Sequence, residues 1–210
     1  MVLLLLLILL GTSYAQDELI VFLLDTSGSM QGQEQSMVEG VNKLIGRLEQ
    51  VFRSTGSQSA FNVQMYTFSW KRNLLLEAPL SSVPLITTEQ YRADGGTALF
   101  DTIGETLSTI RDNSTIVIAT DGEDTSSTKY SKAEISEMIE KAKETRDIHF
   151  IFLAKGPEAF VGGEAIGLNK GTGAYAVPIA SNVQFASVMT SGSFVSTVSA
   201  SMLRHVDPKE

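Results

Sequence analysis

Apolar positions along the chain take two alternating textures: short continuous runs, and longer stretches where they recur every third or fourth residue. ELIVFLLD (18–25), STIVIAT (114–120) and DIHFIFLA (147–154) are continuous runs of strand length, as expected where both faces of a strand are covered. SAFNVQMYTFSW (59–70) alternates at Phe61, Val63 and Met65, then changes phase to Tyr66, Phe68 and Trp70. RNLLLEAPL (72–80) predicts its hairpin partner, an antiparallel edge strand ended by Pro79. AYAVPI (174–179) predicts a short last strand.

Helical spacing fills the intervals. From Gln33 to Ser54, Met37, Val41, Leu44, Ile45, Leu48 and Phe52 share one face. Residues 93–112 open on a Gly-Gly turn and enter a helix carrying Leu99, Phe100, Ile103 and Leu107. Residues 131–144 begin with a capping box, Ser131 with Glu134, and bury Ile135, Met138, Ile139 and Ala142. GGEAIGLNKGTG (162–173) reads as a helix, a turn and a lead into the last strand, and residues 182–204 as one closing helix. Strands alternating with amphipathic helices predict an α/β fold. It is expected to be Rossmann-like and doubly wound: a mostly parallel central sheet of about six strands, one antiparallel edge strand, and helices on both faces. No repeat or linker divides residues 16–210, so a single domain is expected there.

The first fifteen residues, MVLLLLLILLGTSYA, form a separate segment. Val2–Leu10 is roughly half the ~20 residues of a membrane-spanning helix. It has the length of a signal-peptide core, and Ser13 and Ala15 suit cleavage after Ala15, although a basic leading region is missing. The expectation is a secreted or periplasmic chain without membrane insertion, with an uncleaved anchor as the alternative.

Composition then narrows the chemistry. A net charge of −8 over 210 residues disfavours nucleic acid as a partner. Cysteine is absent, which excludes thiol catalysis, disulfides and thiolate zinc sites. His149 and His205 are too isolated to form a zinc site and are expected to be structural. Lys170 is followed by Gly171, so the P-loop spacing is not met. Asn113-Ser114-Thr115 is a glycosylation sequon, relevant only to export through a eukaryotic route.

Two strands, 18–25 and 114–120, deliver an aspartate to their exits, Asp25 and Asp121. Open α/β sheets bind ligands beyond the carboxyl ends of their strands. Asp25, Ser27 and Ser29 from one loop, Thr97 from a second and Asp121 from a third offer only oxygen. That set suits a hard cation, Mg²⁺, with Mn²⁺ or Ca²⁺ as substitutes. Enzyme readings fare poorly. A strand-terminal aspartate phosphohydrolase needs a second carboxylate where Ser27 stands, and no histidine lies in a candidate loop to activate a serine.

DTSGS (25–29), GGT (95–97) and ATDGE (119–123), in this order and separation, resemble the three metal-binding loops of the von Willebrand factor type A domain. The resemblance covers about residues 18–206. In that family the loops make a metal-ion-dependent adhesion site. The resemblance implies that Ser27 and Ser29 bind the metal through their hydroxyls. It implies that Asp25 and Asp121 act mainly through bound waters, and Thr97 directly or through water. A carboxylate from a protein partner would complete the shell. The implied function is cation-dependent recognition of an Asp or Glu on a protein ligand, without catalysis. The alternatives are an assembly factor working with a ring ATPase, or a metal clamp with a purely structural role. Around the loops, Glu123 and Asp124 read as a solvated acidic loop, with tuning of partner choice or a second cation as the alternative, and Asp101 as a residue that complements the helix dipole or supports the ligands rather than a direct ligand. Trp70 and Arg72 read as hairpin packing, with a partner-contacting rim as the alternative.

Overall fold

The computed structural model describes residues 18–55, 61–168 and 173–205. The expected export segment, Lys170, the side chain of His205 and residues 206–210 lie outside them. Strands β1 (Glu18–Asp25), β2 (Phe61–Phe68), β3 (Arg72–Pro79), β4 (Ser114–Thr120), β5 (His149–Lys155) and β6 (Ala174–Ile179) form one sheet. Their order is β3-β2-β1-β4-β5-β6. Every pairing is parallel except β2 with β3, the antiparallel edge expected from the sequence. The β2–β3 pairing carries a bulge on β3: Met65 faces Leu76 and Tyr66 faces Leu74, leaving Leu75 as the extra residue. β2 itself alternates throughout, Phe61, Val63 and Met65 packing on one face of the sheet and Tyr66 and Phe68 on the other, so the phase change marks a switch of covered face.

The central strands are buried on both sides because their alternate residues enter two different cores. Ile20, Phe22 and Leu24 of β1 pack with Met37, Val41, Leu44 and Leu48 of α1 (Glu34–Thr55). Phe185 of α5 (Phe185–Met189) and Val198 of α6 (Gly192–Met202) join the same cluster. Leu19, Val21 and Leu23 turn to the other face, against Leu99 and Ile103 of α2 (Leu99–Thr109). Ile135 and Ile139 of α3 (Lys132–Thr145) and Ala159 of α4 (Pro157–Glu164) complete that core. Each large aliphatic side chain so buried contributes about 1.5–3 kcal/mol. This is the doubly wound, Rossmann-like α/β architecture.

Helix α2 starts at Leu99, after the expected Gly-Gly turn; the residues before it bond to another loop, Asp94 N–H donating to Thr26 O at 2.8 Å. Two other helices differ from the sequence reading, each for a local reason. Helix α4 starts at Pro157, ahead of the glycine-rich segment; Gly156 turns the chain at φ 88° and proline preorganises the first turn. The closing helix is two helices. Ser191 takes an extended backbone and its hydroxyl accepts from Phe194 N–H at 3.2 Å, so it caps α6 instead of continuing α5. The capping box of α3 forms as expected, with Glu134 N–H to Ser131 Oγ at 3.3 Å and Ser131 N–H to Glu134 Oε2 at 2.8 Å.

Candidate metal centre

Strand order reverses at β1: the chain winds to β2 and β3 on one side and to β4, β5 and β6 on the other. Beyond the carboxyl ends of β1 and β4 the outgoing loops part, which leaves a crevice. All five candidate oxygen donors lie on the loops around that crevice.

Asp25 ends β1 with no solvent exposure. Its Oδ1 accepts from Ser27 N–H at 2.7 Å and its Oδ2 from Thr120 Oγ1 at 2.5 Å. Burial pushes its carboxyl up to about 6, partly opposed by the bonds from Thr120 and Ser27, while the Asp121 charge adds to the rise. From there a line of oxygens runs to the surface. Ser27 Oγ lies 3.0 Å from Ser29 Oγ, and Ser29 Oγ donates to Asp121 Oδ1 at 2.6 Å. Asp121 Oδ2 accepts from Gln33 Nε2 at 2.8 Å, and Gln33 Oε1 in turn accepts from the buried Lys155 ammonium. The lysine thereby fixes which end of the Gln33 amide faces the carboxylate.

Thr97 enters from the second loop, buried at 4% exposure. Backbone bonds align this loop with its neighbours: Gly28 N–H to Gly95 O at 2.9 Å, and Thr125 N–H to Thr97 O at 2.9 Å. Thr97 N–H donates to Thr125 Oγ1 at 3.0 Å. Gly95 adopts φ 90°, which suits glycine at the close approach to Gly28. A Cβ built on Gly122 would lie 3.6 Å from Thr97 Oγ1 and 3.7 Å from Ser29 Oγ. Hydroxyls of two loops therefore flank one small space that glycine keeps open.

The structure brings together all five residues singled out in the sequence and adds five more. Thr120 lies within ATDGE without a role assigned to it there, and Gln33, Lys155 and Thr125 carry no motif signal, because the partners of all four lie far along the chain. Asp124 corrects the expectation of a solvated acid: its Oδ1 accepts from Phe100 N–H at 3.0 Å and from Ser127 Oγ, anchoring the start of α2. Asp101 accepts from the N–H groups of Thr128, Lys129 and Tyr130. Burial works against its ionisation, but those three bonds hold its carboxyl below the ordinary value, so it ties the loop before α3 to α2. Of the expected hairpin-packing pair, Arg72 lies over the Tyr66 ring at 4.4 Å and 3.7 Å from Glu105. Trp70 does not pack into the hairpin; it is 67% exposed.

This donor set fits a hard cation. Its oxygens come from hydroxyls and two carboxylates, and a cation would offset the repulsion between Asp25 and Asp121. Among the described residues no three of His, Cys, Asp and Glu gather at one point, so hydroxyls carry much of any coordination.

A doubly wound sheet with hydroxyl- and carboxylate-bearing loops at its switch point defines a class of α/β domain that presents such loops at one edge. The chain belongs to the von Willebrand factor type A domain family, whose model matches residues 20–178. Solved structures share the fold at low identity. A von Willebrand factor type A protein from Catenulispora acidiphila superposes with a TM-score of 0.59 at 14% identity, over 89% of this chain and 43% of that one. Proximal thread matrix protein 1 of the mussel byssus, with a zinc-occupied MIDAS motif, gives 0.56 at 14%, over 88% and 46%. The pilus adhesin SpaC of Lactobacillus rhamnosus GG gives 0.61 at 12%, over 90% and 31%. The chain thus spans less than half the length of each. No curated protein matches it. No helix among the described residues is long and apolar enough to cross a membrane.

Proposed function

We propose that this chain is a secreted, divalent-cation-dependent protein-binding module without catalytic activity. Asp25, Ser27, Ser29, Thr97 and Asp121 would hold Mg²⁺, and the partner would present an Asp or Glu carboxylate to it. The observation that carries this reading is the convergence of three loops: Ser27, Ser29 and Asp121 form one hydrogen-bonded line of oxygens, and Thr97 and Ser29 flank the space over Gly122. The zinc-occupied MIDAS of the mussel protein supports a divalent ion here, and the adhesin likeness and the apolar N-terminal segment support export.

With about two ionised ligands, a bound ion keeps residual positive charge and accepts one further anionic oxygen. The chain's own residues prepare for this. Thr120 and the Ser27 amide hold Asp25, Gln33 and Ser29 hold the two oxygens of Asp121, and Thr125 fixes the backbone of Thr97.

Calorimetric titration of Mn²⁺ and Mg²⁺ tests the reading, with Ser27→Ala/Ser29→Ala and Asp121→Ala as controls. Saturable binding is expected, weakened at least about tenfold in both controls while circular dichroism and melting stay unchanged. A folded wild-type chain that binds neither ion, or controls that bind as well as wild type, would overturn it.

A further inference from the structure

Lys155 ends β5, buried at 9% exposure. A buried ammonium is costly unless it is paired, and the usual pair is a carboxylate. Here the hydrogen-bond acceptor is an amide oxygen, Gln33 Oε1, and the Phe185 ring lies 5.7 Å from the ammonium. Among the described residues Lys155 pairs with no carboxylate directly. Asp121 is one amide further on: Gln33 Nε2 donates to its Oδ2 at 2.8 Å.

The backbone of Gln33 is fixed at the entry to α1. Its N–H donates to Met30 O at 3.0 Å, and its carbonyl accepts from Met37 N–H at 2.9 Å. The amide therefore has an anchored stem, a cation at its oxygen and an anion at its nitrogen. Each oxygen of Asp25 and Asp121 thus has a donor: Ser27 N–H and Thr120 Oγ1 on the first, Ser29 Oγ and Gln33 Nε2 on the second. Ser27, Ser29 and Thr120 belong to the candidate loops themselves. Gln33 reaches in from outside those motif stretches, and Lys155 sets its direction.

This arrangement bears on which cation the centre would take. Ca²⁺ gathers about 6–8 oxygens and accepts carboxylates that chelate with both of theirs, whereas Mg²⁺ demands a near-ideal octahedron and keeps several waters. A carboxylate chelates only by turning both oxygens to one cation, and donors on both oxygens oppose that turn. Asp25 cannot be released without breaking bonds within the loops. Asp121 is released at Oδ2 by removing a single amide, so that amide is where the choice between the two ions is set.

We propose that Gln33, anchored by Lys155, is a positioning residue that holds Asp121 Oδ2 away from direct coordination and thereby biases the site toward Mg²⁺ over Ca²⁺. This role rests on the metal centre proposed above, and the experiment separates the two. Mg²⁺ and Ca²⁺ are each titrated by calorimetry into the wild-type chain, Gln33→Met/Lys155→Met and Lys155→Met, with a thermal melt of each. The double variant removes amide and ammonium together, so no bare charge is left buried. Lys155→Met alone removes the charge and the anchor but keeps the donor to Asp121. Exchange of the Gln33 side-chain N–H protons with water is followed by NMR in the Mg²⁺-saturated wild type.

Wild type is expected to bind Mg²⁺ more tightly than Ca²⁺, and the double variant to move that ratio about tenfold toward Ca²⁺. Lys155→Met is expected to move it about threefold at most. The Gln33 amide protons should exchange more slowly than those of an exposed glutamine. A merely structural Gln33 would instead weaken both ions together and leave the ratio where it was. Should the double variant not fold, Gln33→Met alone carries the same expectation. An unchanged ratio, a shift as large in Lys155→Met as in the double variant, or freely exchanging Gln33 protons with Mg²⁺ bound would overturn the role and leave the metal centre standing. A wild-type chain that binds neither ion would remove the centre and the role together.

Discussion

Glu18 and Asp25 stand at opposite ends of β1, both buried, and burial pushes both carboxyls up, to about 7 and about 6. Their surroundings differ. At the Glu18 end the chain supplies its own cations: Arg204 and Arg111 pull that carboxyl back down. At the Asp25 end the opposing influence comes from hydroxyl and amide groups of Thr120 and Ser27, and the charge acting on Asp25 is a second carboxylate, Asp121. Lys155 reaches Asp121 only through Gln33. One edge of the sheet is thus neutralised from within, and the other is built of oxygens that can coordinate but cannot neutralise. This contrast, more than any single residue, marks the carboxyl edge as the place where an outside cation would act.

The comparison breaks first if the self-neutralised end proves dispensable. Arg204 donates to the carbonyls of Asp147 and Ser114 and to Thr115 Oγ1, with its side chain only 14% exposed. Arg204→Met is expected to cost about 3–5 kcal/mol in urea denaturation. Metal affinity should not move, because the two ends of an eight-residue strand lie roughly 20 Å apart.

A smaller effect sits in Glu18 itself. Its folded carboxyl lies above the ordinary 4.5, so the folded state binds that proton more tightly than the unfolded chain. The stabilisation it contributes is full below pH 4.5 and is lost as pH rises through about 7, a change of about 3 kcal/mol. Glu18→Gln should remove that part of the slope from melts recorded between pH 4.5 and 8. An unchanged slope would place the titration elsewhere.

The smallest effect tests which acids at the carboxyl edge serve the fold. Asp124→Ala is expected to cost about 1 kcal/mol, since Phe100 N–H and Ser127 Oγ lose their acceptor, with Mn²⁺ affinity within about twofold of wild type. A loss of tenfold or more in affinity would make Asp124 part of the centre.

Much of this was legible in the sequence because its causes are local. Continuous apolar runs mark strands covered on both faces, and the phase change after Met65 marks where β2 passes from residues buried on one face of the sheet to residues packed on the other. Asp25, Ser27 and Ser29 share one turn, so their grouping needed no tertiary knowledge. What escaped notice depends on distant partners. Thr120 looked like the end of a strand, but its hydroxyl holds an aspartate 95 positions earlier. Gln33 and Lys155 meet across 122 positions. Trp70 read as hairpin packing because nothing in its own segment shows that Gly95 and Gly96 offer it a seat. The break in the closing helix was written locally, in Ser191-Gly192, but the helical period on either side concealed it.

The central claim is that the carboxyl edge of this sheet holds a divalent cation between its three loops. The most direct measurement is a crystal grown in Mn²⁺, with anomalous difference density collected near the manganese edge. The expected result is one strong peak contacting the hydroxyls of Ser27 and Ser29, next to Thr97. A well-ordered crystal with no peak there, or with its strongest peak at another place on the chain, would contradict the claim.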